Sequence, residues 1–463
     1  MNKKSNTVYL ILCSVVTALG GFLFGFDTAV ISGTTDALTR VFQLSNGFWL
    51  GFTVAAALIG TILGAIIAGR PADRYGRHKS LYAVAIIYFI SAIGSAWPFD
   101  WYSFLFFRFI GGVGVGASSV IAPMYIAEIS PAHLRGRLVA IMQFNVIFGI
   151  TMAYLSNYGI DLLAPGEDAW RWMFAVEAVP AALFFFLLFL TPESPRWLVA
   201  QNRISEAAAL ITRFGSESVD AEIAAIQGSL KTDRENQSVP FFHKSNRKVI
   251  LLALAIAAFN QLSGINAVLY YAPSIFKMAG YDQNAAFLSS VIIGSVMTVF
   301  TMLALLVMDS LGRKKIMLVG TFGYLISLAT IAFCFYYYGQ NFDKTGGAVV
   351  LISLIVYIAA HAFGQGSVIW VFISEIFPNR LRARGQAFGS FVHWVGAATI
   401  SWTFPVIANA SGGHAFAFYF LMMLLQLVWV VWIMPETKNV SLEDLQKKLY
   451  GKSQEGGDKR HSA

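Results

Sequence analysis

Twelve long apolar stretches run along this chain of 463 residues, and they constrain its fold more than any other feature. Segments such as 8–33, 50–69, 316–338 and 416–434 are close to or above the roughly 20 residues that a helix needs to cross a bilayer. The chain is 57% hydrophobic and 13% charged, whereas a soluble domain is about 45–50% apolar and about 25% charged. The pattern predicts an all-α, multi-pass membrane protein and disfavours a soluble one.

The predicted spans and the basic residues between them together predict an orientation. We place the spans at 8–33, 47–69, 80–97, 102–124, 138–160, 172–191, 249–276, 285–308, 316–338, 347–373, 385–408 and 415–434. Of the 33 Lys and Arg, 28 lie in the N-terminal segment, the alternate loops and the C-terminal tail. Because cytoplasmic loops carry an excess of these residues, we expect both termini on the cytoplasmic side of the cell (inner) membrane. Topology thus explains the net charge of +8, and nucleic-acid binding is not indicated.

An internal duplication divides the chain. Three short motifs return after 236 to 247 residues: 73–77 at 309–313, 128–137 at 375–384, and 192–196 at 435–438. Parallel repeats with a substrate site between them are a transporter architecture. We therefore expect two pseudo-symmetric six-helix bundles, 1–192 and 249–437, followed by a cytoplasmic tail, 438–463.

The segment 193–248 is the expected cytoplasmic linker between the two bundles. Apolar residues recur at helical spacing in 205–214 and 219–230, with charged residues between them. We predict two short helices there, and a disordered linker is the alternative.

Three ionisable residues lie inside apolar spans: Asp27 in span 1, Arg108 in span 4 and Glu177 in span 6. Such a charge costs about 2.5–3.5 kcal/mol or more at the bilayer centre. At ~1.5 Å per residue, all three lie roughly 8–9 Å below the outer surface, so contact between them is possible. Arg stays charged and favours ionised Asp27, whereas desolvation favours protonated Asp27. A change in their separation would alter proton binding, which predicts a proton switch. The alternative is a static ion pair that fixes helix packing.

Five motifs, in order along nearly the whole chain, resemble the sugar porter family of the major facilitator superfamily. Within it they are most similar to bacterial sugar–proton symporters of the xylose–proton type. The motifs are Gly69–Arg77, Arg108–Gly112, Pro192–Trp197, Gln261–Asn266 and Pro435–Lys438. The resemblance implies the twelve-helix major facilitator fold and a sugar substrate, and hydropathy alone indicates neither. It also implies that an Asp, an Arg and a Glu at these three positions couple transport to protons.

Span 7 carries the amides Asn260, Gln261 and Asn266 around Ser263 and Gly264. Amides in lipid are costly, so we expect them to face a cavity. Each amide offers both donors and acceptors, which suits neighbouring sugar hydroxyls. Gly264 could loosen the helix there, as happens in the broken helices of transporters.

The resemblance adds further sugar-site residues on other spans. It implies that Gln143 of span 5 binds hydroxyls and that Trp370 and Trp394 lie against the sugar ring. His393 and Met297 depart from the pattern of the relatives, as does the Asn at position 260, where Gln is usual. His393 is either a sugar ligand, which we favour, or a second proton site.

Charged residues in the short loops form a third predicted group. The resemblance implies that they form networks that close the cytoplasmic side when the carrier faces outward. Plain positive-inside loops would explain the basic residues but not the acidic ones among them. The predicted gating residues are Asp73, Arg74, Arg77, Glu128, Arg135, Glu193, Arg196, Asp309, Arg313, Glu375, Arg384 and Glu436.

Together these features predict proton-coupled symport of a monosaccharide, a hexose or a pentose, by alternating access. A uniporter of the same fold and a non-transporting membrane sugar sensor are the alternatives. The expected partners are the sugar, the proton and membrane lipid, and we expect a functional monomer without metal or cofactor. An enzyme is disfavoured because no nucleophile–base pair is evident in the spans. An ATP-driven pump is disfavoured because the chain lacks a phosphate-binding Gly-x-x-x-x-Gly-Lys-Ser/Thr motif.

Overall fold

The structure is a computed structural model that describes residues 3–164, 166–214, 218–236, 240–339 and 341–438. The side chains of residues 3–7, 132, 133, 232–236, 309 and 379 fall outside this description. The predicted tail also lies outside it, apart from its first residue. No β-strand occurs in the described ranges, which confirms the all-α class.

The described residues form twenty α-helices, numbered here in chain order. Their bounds are α1 Lys3–Val30, α2 Thr35–Val41, α3 Gly47–Ile67, α4 Gly69–Tyr75, α5 Arg77–Ala96, α6 Trp101–Ile129, α7 Ala132–Leu163, α8 Ala169–Ala175, α9 Ala178–Leu187, α10 Pro195–Ala200, α11 Ile204–Arg213, α12 Val219–Asn236, α13 Arg247–Leu262, α14 Ile265–Met278, α15 Gln283–Leu311, α16 Arg313–Tyr338, α17 Lys344–Phe363, α18 Gln365–Ile376, α19 Asn379–Ala410 and α20 Gly412–Trp432. Three 3₁₀ turns accompany them, at Ile31–Gly33, Leu188–Leu190 and Lys244–Asn246.

Twelve helical runs in the described chain are long and apolar enough to cross a membrane, as the sequence predicts. Spans 1 to 12 are Val8–Gly33, Gly47–Ile67, Arg77–Ala96, Trp101–Ile129, Leu134–Leu163, Ala169–Leu190, Lys244–Met278, Gln283–Met308, Arg313–Tyr338, Lys344–Ile376, Arg380–Ala410 and Gly412–Trp432. Several helices continue past the apolar stretch, because the backbone hydrogen bonds of a helix do not require apolar side chains.

Spans 7 and 10 are each broken into two helices. Span 7 breaks between α13 and α14, where Gly264 takes φ +87°, a left-handed conformation that glycine adopts without steric cost. Span 10 breaks between α17 and α18 at Gly364. The sequence indicated the first break through Gly264, but it did not indicate the second.

The two ends of the helical assembly differ in charge. The basic end carries the loops after spans 2, 4, 6, 8 and 10, and the opposite end carries the loops after spans 1, 3, 5, 7, 9 and 11. At the opposite end the first six spans pack closely against the last six. A Cβ on Gly51 of span 2 would lie 2.0 Å from the carbonyl oxygen of Trp402, so only glycine permits this approach.

The linker forms a small helical layer at the basic end. The helices α11 and α12 confirm the two predicted there, although α12 extends to Asn236. A further helix, α10, begins where the Ser194 side chain accepts a hydrogen bond from the Trp197 amide and Pro195 occupies the first turn. Trp197, Ile211 and Ile223 form part of the layer's apolar core.

Candidate functional site

Asp27 and Arg108 form a buried ion pair between α1 and α6. Arg108 Nη1 donates to Asp27 Oδ1 at 2.6 Å, and Nη2 donates to the Asp27 carbonyl at 3.2 Å. Both residues are at most 2% exposed. A Cβ on Gly111 would lie 3.5 Å from Asp27 Oδ1 and 2.2 Å from Ser91 Oγ. The glycine therefore lets α6 pack closely against α5 and the Asp27 side chain of α1. Asp27 and Arg108, which the sequence places at the same depth in the membrane, are therefore in contact.

Glu177 lies beside this pair, in the two-residue break between α8 and α9, and is 1% exposed. Among the described residues, its Oε1 has no hydrogen-bond partner, and the same holds for Arg108 Nε. Phe174 closes the other side, with the Arg108 guanidinium 5.4 Å from its ring centre. Buried polar atoms are rarely left unpaired. Glu177 Oε1 and Arg108 Nε therefore provide spare hydrogen-bonding capacity next to the Asp27 carboxylate.

The amides of span 7 form one hydrogen-bonded cluster around its break. Gln261 Nε2 donates to Asn260 Oδ1 at 2.9 Å, and Gln261 Oε1 accepts from Asn266 Nδ2 at 2.6 Å. Gln261 Nε2 also lies 3.1 Å from Nδ1 of His393 on α19. These side chains bond to one another and to a neighbouring span, so lipid does not have to accommodate them.

Aromatic rings extend the amide cluster. The rings of Trp370 and His393 lie 5.1 Å apart, and those of His393 and Trp394 lie 5.0 Å apart. Trp394 also lies 5.5 Å from Phe24 on α1, in the other half of the molecule. Flat apolar faces with N–H groups therefore adjoin the amides, which is a surface that a sugar ring can contact.

The structure thus groups six of the seven predicted sugar ligands. Gln143 lies on α7 in the first half, where its side chain is half-buried. Met297, which stands where relatives often have Asn, is 8% exposed and packs in the apolar core.

Charged residues of the first half meet at the basic end. Arg77 donates through Nε and Nη2 to the two oxygens of Glu128, both at 2.9 Å, and contacts Asp73 at 3.0 Å. Arg196 lies 3.9 Å from Glu128. Glu193 accepts hydrogen bonds from the backbone amides of Arg77 and His78, so its carboxylate caps the N-terminus of α5.

The second half repeats this arrangement. Arg313 donates to Glu375 at 2.8 Å, as Arg77 does to Glu128. Glu436 accepts from the amides of Arg313 and Lys314 and caps α16, as Glu193 caps α5. Thr437 donates to Glu375, as Ser194 does to Glu128. The described contacts of the first network join the first half to the start of the linker, and those of the second join elements of the second half.

Two other predicted gating residues have described contacts away from these carboxylates. Arg135 donates to the carbonyls of Ala127 and Ser130, and exposed Arg74 lies over the Tyr75 ring. Arg384 is half-buried. The side chain of Asp309 falls outside the described residues.

Sequence reasoning missed two groups. At the opposite end, Lys277 contacts Asp36 at 2.6 Å and Gln283 donates to Asp161 at 2.5 Å, and both contacts join the two halves. The only signal for this group was that the residues are polar and lie next to span ends. The second group is a set of buried polar residues on spans 9, 10 and 12. Its signal was polar side chains inside apolar stretches.

Comparison with known proteins gives a consistent picture. A family model described as "Sugar (and other) transporter" matches residues 13–449. The D-xylose–proton symporter of Escherichia coli K12 is 37% identical over 96% of this chain and 97% of its own length. The glucose transport protein of Synechocystis is 36% identical over 95% and 98%.

A solved structure matches as well. The partially occluded inward-open conformation of the E. coli xylose transporter superposes with a TM-score of 0.83 at 36% identity, covering 94% of this chain and all of the other. The expectation of a transporter rather than an enzyme is confirmed at the level of the family. The chain is a multi-pass membrane protein, and it belongs to the sugar transporter family of the major facilitator superfamily.

Proposed function

We propose that this protein is a proton-coupled symporter that carries a monosaccharide, a hexose or a pentose, into the cell by alternating access. The observation that carries the proposal is the buried Asp27–Arg108 pair in a chain that also holds a polar and aromatic cluster suited to a sugar. A relative 37% identical over nearly its whole length is named a D-xylose–proton symporter, which supports the same reading.

Asp27, Arg108 and Glu177 are the proposed coupling residues. A proton that binds Asp27 removes its negative charge and so weakens its hold on Arg108. Glu177, whose Oε1 has no described partner, is then available to the guanidinium. Exchange of Arg108 between the two carboxylates would couple proton binding to a rearrangement of α1 against α6 and α9.

Asn260, Gln261, Asn266 and His393 are the proposed hydroxyl ligands, and Trp370 and Trp394 are the proposed ring contacts. Their mutual hydrogen bonds support this role, because a sugar hydroxyl can replace each partner without leaving an amide unpaired. His393 is a ligand in this scheme, since its ring joins the cluster through Gln261. Gln143 is proposed to contribute from the first half.

The orientation and the conformation are part of the proposal. The basic end is proposed to be cytoplasmic, following the positive-inside rule, which puts both termini in the cytoplasm of a monomer in the inner membrane. The contacts at the opposite end would then close the outer side in this structure. The domain boundaries remain as proposed from the sequence: bundles 1–192 and 249–437, linker 193–248 and tail 438–463.

The charged networks at the basic end are proposed to be gates. They comprise Asp73, Arg74, Arg77, Glu128 and Arg135 in the first half, Glu193 and Arg196 at the start of the linker, and Asp309, Arg313, Glu375, Arg384 and Glu436 in the second half. In the state described, Arg77 pairs with Asp73 and Glu128, and Arg313 pairs with Glu375, each within its own half. In the outward-facing state, the same charges would meet across the two halves.

The energetics allow concentrative uptake. One proton that moves down about 100 mV releases about 2.3 kcal/mol. At about 1.4 kcal/mol for each tenfold ratio, this supports roughly 50-fold accumulation of a neutral sugar.

The test is uptake of a panel of radiolabelled pentoses and hexoses into proteoliposomes, with and without an inwardly directed proton gradient. We expect one or a few sugars to accumulate only with the gradient. We expect Asp27→Asn to lose sugar accumulation yet retain the exchange of internal for external sugar in preloaded vesicles. The reason is that the neutral amide imitates the protonated carboxyl. Equal accumulation by the variant and the wild type would exclude coupling through Asp27. Gradient-independent equilibration by the wild type would indicate a uniporter.

A further inference from the structure

A connected set of five buried polar side chains lies in the second half, on spans 9, 10 and 12, and we call it the glutamine network. It consists of Thr321, Tyr324, His361, Gln365 and Gln426, each at most 5% exposed. Gln365 Nε2 donates to Gln426 Oε1, and Gln426 Nε2 donates to Thr321 Oγ1 at 2.8 Å. The Tyr324 hydroxyl donates to Gln365 Oε1 at 3.4 Å and lies 2.5 Å from His361 Nδ1.

The contacts of the network form a continuous chain. They pass from His361 through Tyr324, Gln365 and Gln426 to Thr321. Polar groups at this depth are costly unless they are paired, and here each member has a partner.

The network holds both sides of the break in span 10. His361 lies in the last turn of α17 and Gln365 is the first residue of α18, with Gly364 between the two helices. The backbone of span 9 lies directly behind this point, because a Cβ on Gly364 would be 2.9 Å from the Gly320 Cα. Hydrogen bonds to two other spans therefore fix the break from both sides.

The same region also supports the break in span 7. The Tyr357 hydroxyl donates to the Ser263 carbonyl at 2.9 Å, and the Tyr357 and Tyr324 rings lie 5.2 Å apart. The Tyr419 ring of span 12 packs on Gly264, whose Cβ, if present, would lie 2.4 Å from the ring. The proposed ligands Gln261 and Asn266 flank this break.

We propose that the glutamine network positions the sugar site by holding the breaks of spans 7 and 10 in one fixed relation. The amides beside the break in span 7 and Trp370 beyond the break in span 10 then keep their positions relative to each other. They move together when the second half rearranges. Its members are positioning residues that act through the backbone of the breaks. The part of the inference that concerns sugar rests on the proposed function.

The test compares two substitutions of Gln426 in the full-length chain. Gln426→Met keeps the side-chain length and removes both hydrogen bonds. Gln426→Glu, in the protonated form that burial favours, keeps an acceptor for Gln365 and an O–H donor for Thr321 Oγ1. Thr330→Val is the matched control on span 9, because the Thr330 hydroxyl bonds only to its own helix, at Ile326, in the contacts described.

Two measurements are made on each variant. Hydrogen–deuterium exchange in detergent, without sugar, covers peptides 257–268 and 360–370, and counterflow of D-xylose and D-glucose in proteoliposomes gives the half-saturation concentration and the maximal rate. For Gln426→Met we expect roughly tenfold faster exchange at both breaks. We also expect about five- to tenfold higher half-saturation with a smaller change in maximal rate. Gln426→Glu should restore both quantities, and the control should match the wild type.

Unchanged exchange at 257–268 in Gln426→Met would overturn the proposal, as would equal impairment by Glu and Met. Thr321→Val, which removes the last acceptor of the chain, gives the same test if the Met variant does not fold. The exchange measurement needs no sugar. A wild type that transports neither these two sugars nor any other sugar of the panel would therefore count against the proposed function, while exchange would still decide the role of the network.

Discussion

At the scale of single residues, the molecule keeps its buried polar groups paired in small clusters. Gln261 is the best connected of the proposed sugar ligands, since it bonds to Asn260, Asn266 and His393. A residue with three polar partners is held in one orientation before any ligand arrives. Such preorganisation lowers the entropy lost on binding.

We predict that Gln261→Ala weakens sugar binding about tenfold or more at unchanged expression. Each neutral hydrogen bond contributes about 0.5–1.5 kcal/mol, and the truncation also leaves Asn260 and Asn266 without a partner. Equilibrium binding of a transported radiolabelled sugar to purified protein measures the effect. Asn145→Ala is the matched control, because the Asn145 amide bonds to the Ile141 carbonyl of its own helix. Wild-type affinity in Gln261→Ala would remove this residue from the site.

At the scale of helices, two carboxylates that are distant in sequence cap span 3 and span 9. Gly76 and Gly312 precede these helices with φ +100° and +90°, a backbone conformation that L side chains rarely adopt. A Cβ on Gly76 would lie 2.1 Å from Glu193 Oε2, so the missing side chain makes room for the cap. The duplicated loop motif therefore encodes a turn that receives a carboxylate.

We predict that Glu193→Ala destabilises the first half, because it leaves two amides at the start of α5 without an acceptor. Loss of a cap costs about 0.5–2 kcal/mol, and thermal unfolding in detergent should shift downward by a few degrees. Glu436→Ala should do the same through α16. Exposed Glu206, which pairs with Arg203 on the surface of the linker, provides the control substitution Glu206→Gln. Equal unfolding temperatures for the Glu193 and Glu206 variants would contradict the capping role.

At the scale of the whole molecule, a polar latch joins the halves at the opposite end. It consists of the pairs Asp36–Lys277 and Asp161–Gln283. The hydroxyl pair Thr35–Ser274 lies nearby, and the pair Thr151–Thr298 joins the halves deeper in spans 5 and 8. Partly exposed pairs contribute little stability. A small energy is sufficient, however, to shift the balance between two conformations of similar free energy.

We predict that Lys277→Asp raises the population open at this end about two- to fivefold, because it replaces an attraction of up to about 1 kcal/mol with repulsion. Asp36→Lys should have the same effect, and the double variant Asp36→Lys/Lys277→Asp should restore the closed state. Spin labels at exposed Leu163 and Asn341, one on each half and with the native cysteines replaced, report the distance. The control is Asp168→Lys, which breaks the Asp168–Arg171 pair within the first half at the same end. Identical distance distributions in all variants would show that the pair does not hold the halves together.

The sequence by itself determined the number of spans, the pseudo-symmetry and the transporter family, because hydrophobicity over 20 residues is a local, additive property and the motifs are contiguous. It also singled out Asp27, Arg108 and Glu177 as candidate coupling residues, because charge within an apolar span is visible without a structure. Tertiary structure alone decided which charged groups meet, that Glu193 and Glu436 cap helices, and that span 10 breaks at Gly364. Contacts such as Gln365 with Gln426 depend on the depth and rotation of each helix against its neighbours. Packing of the assembled bundle fixes those two quantities, and no single stretch of the chain contains them.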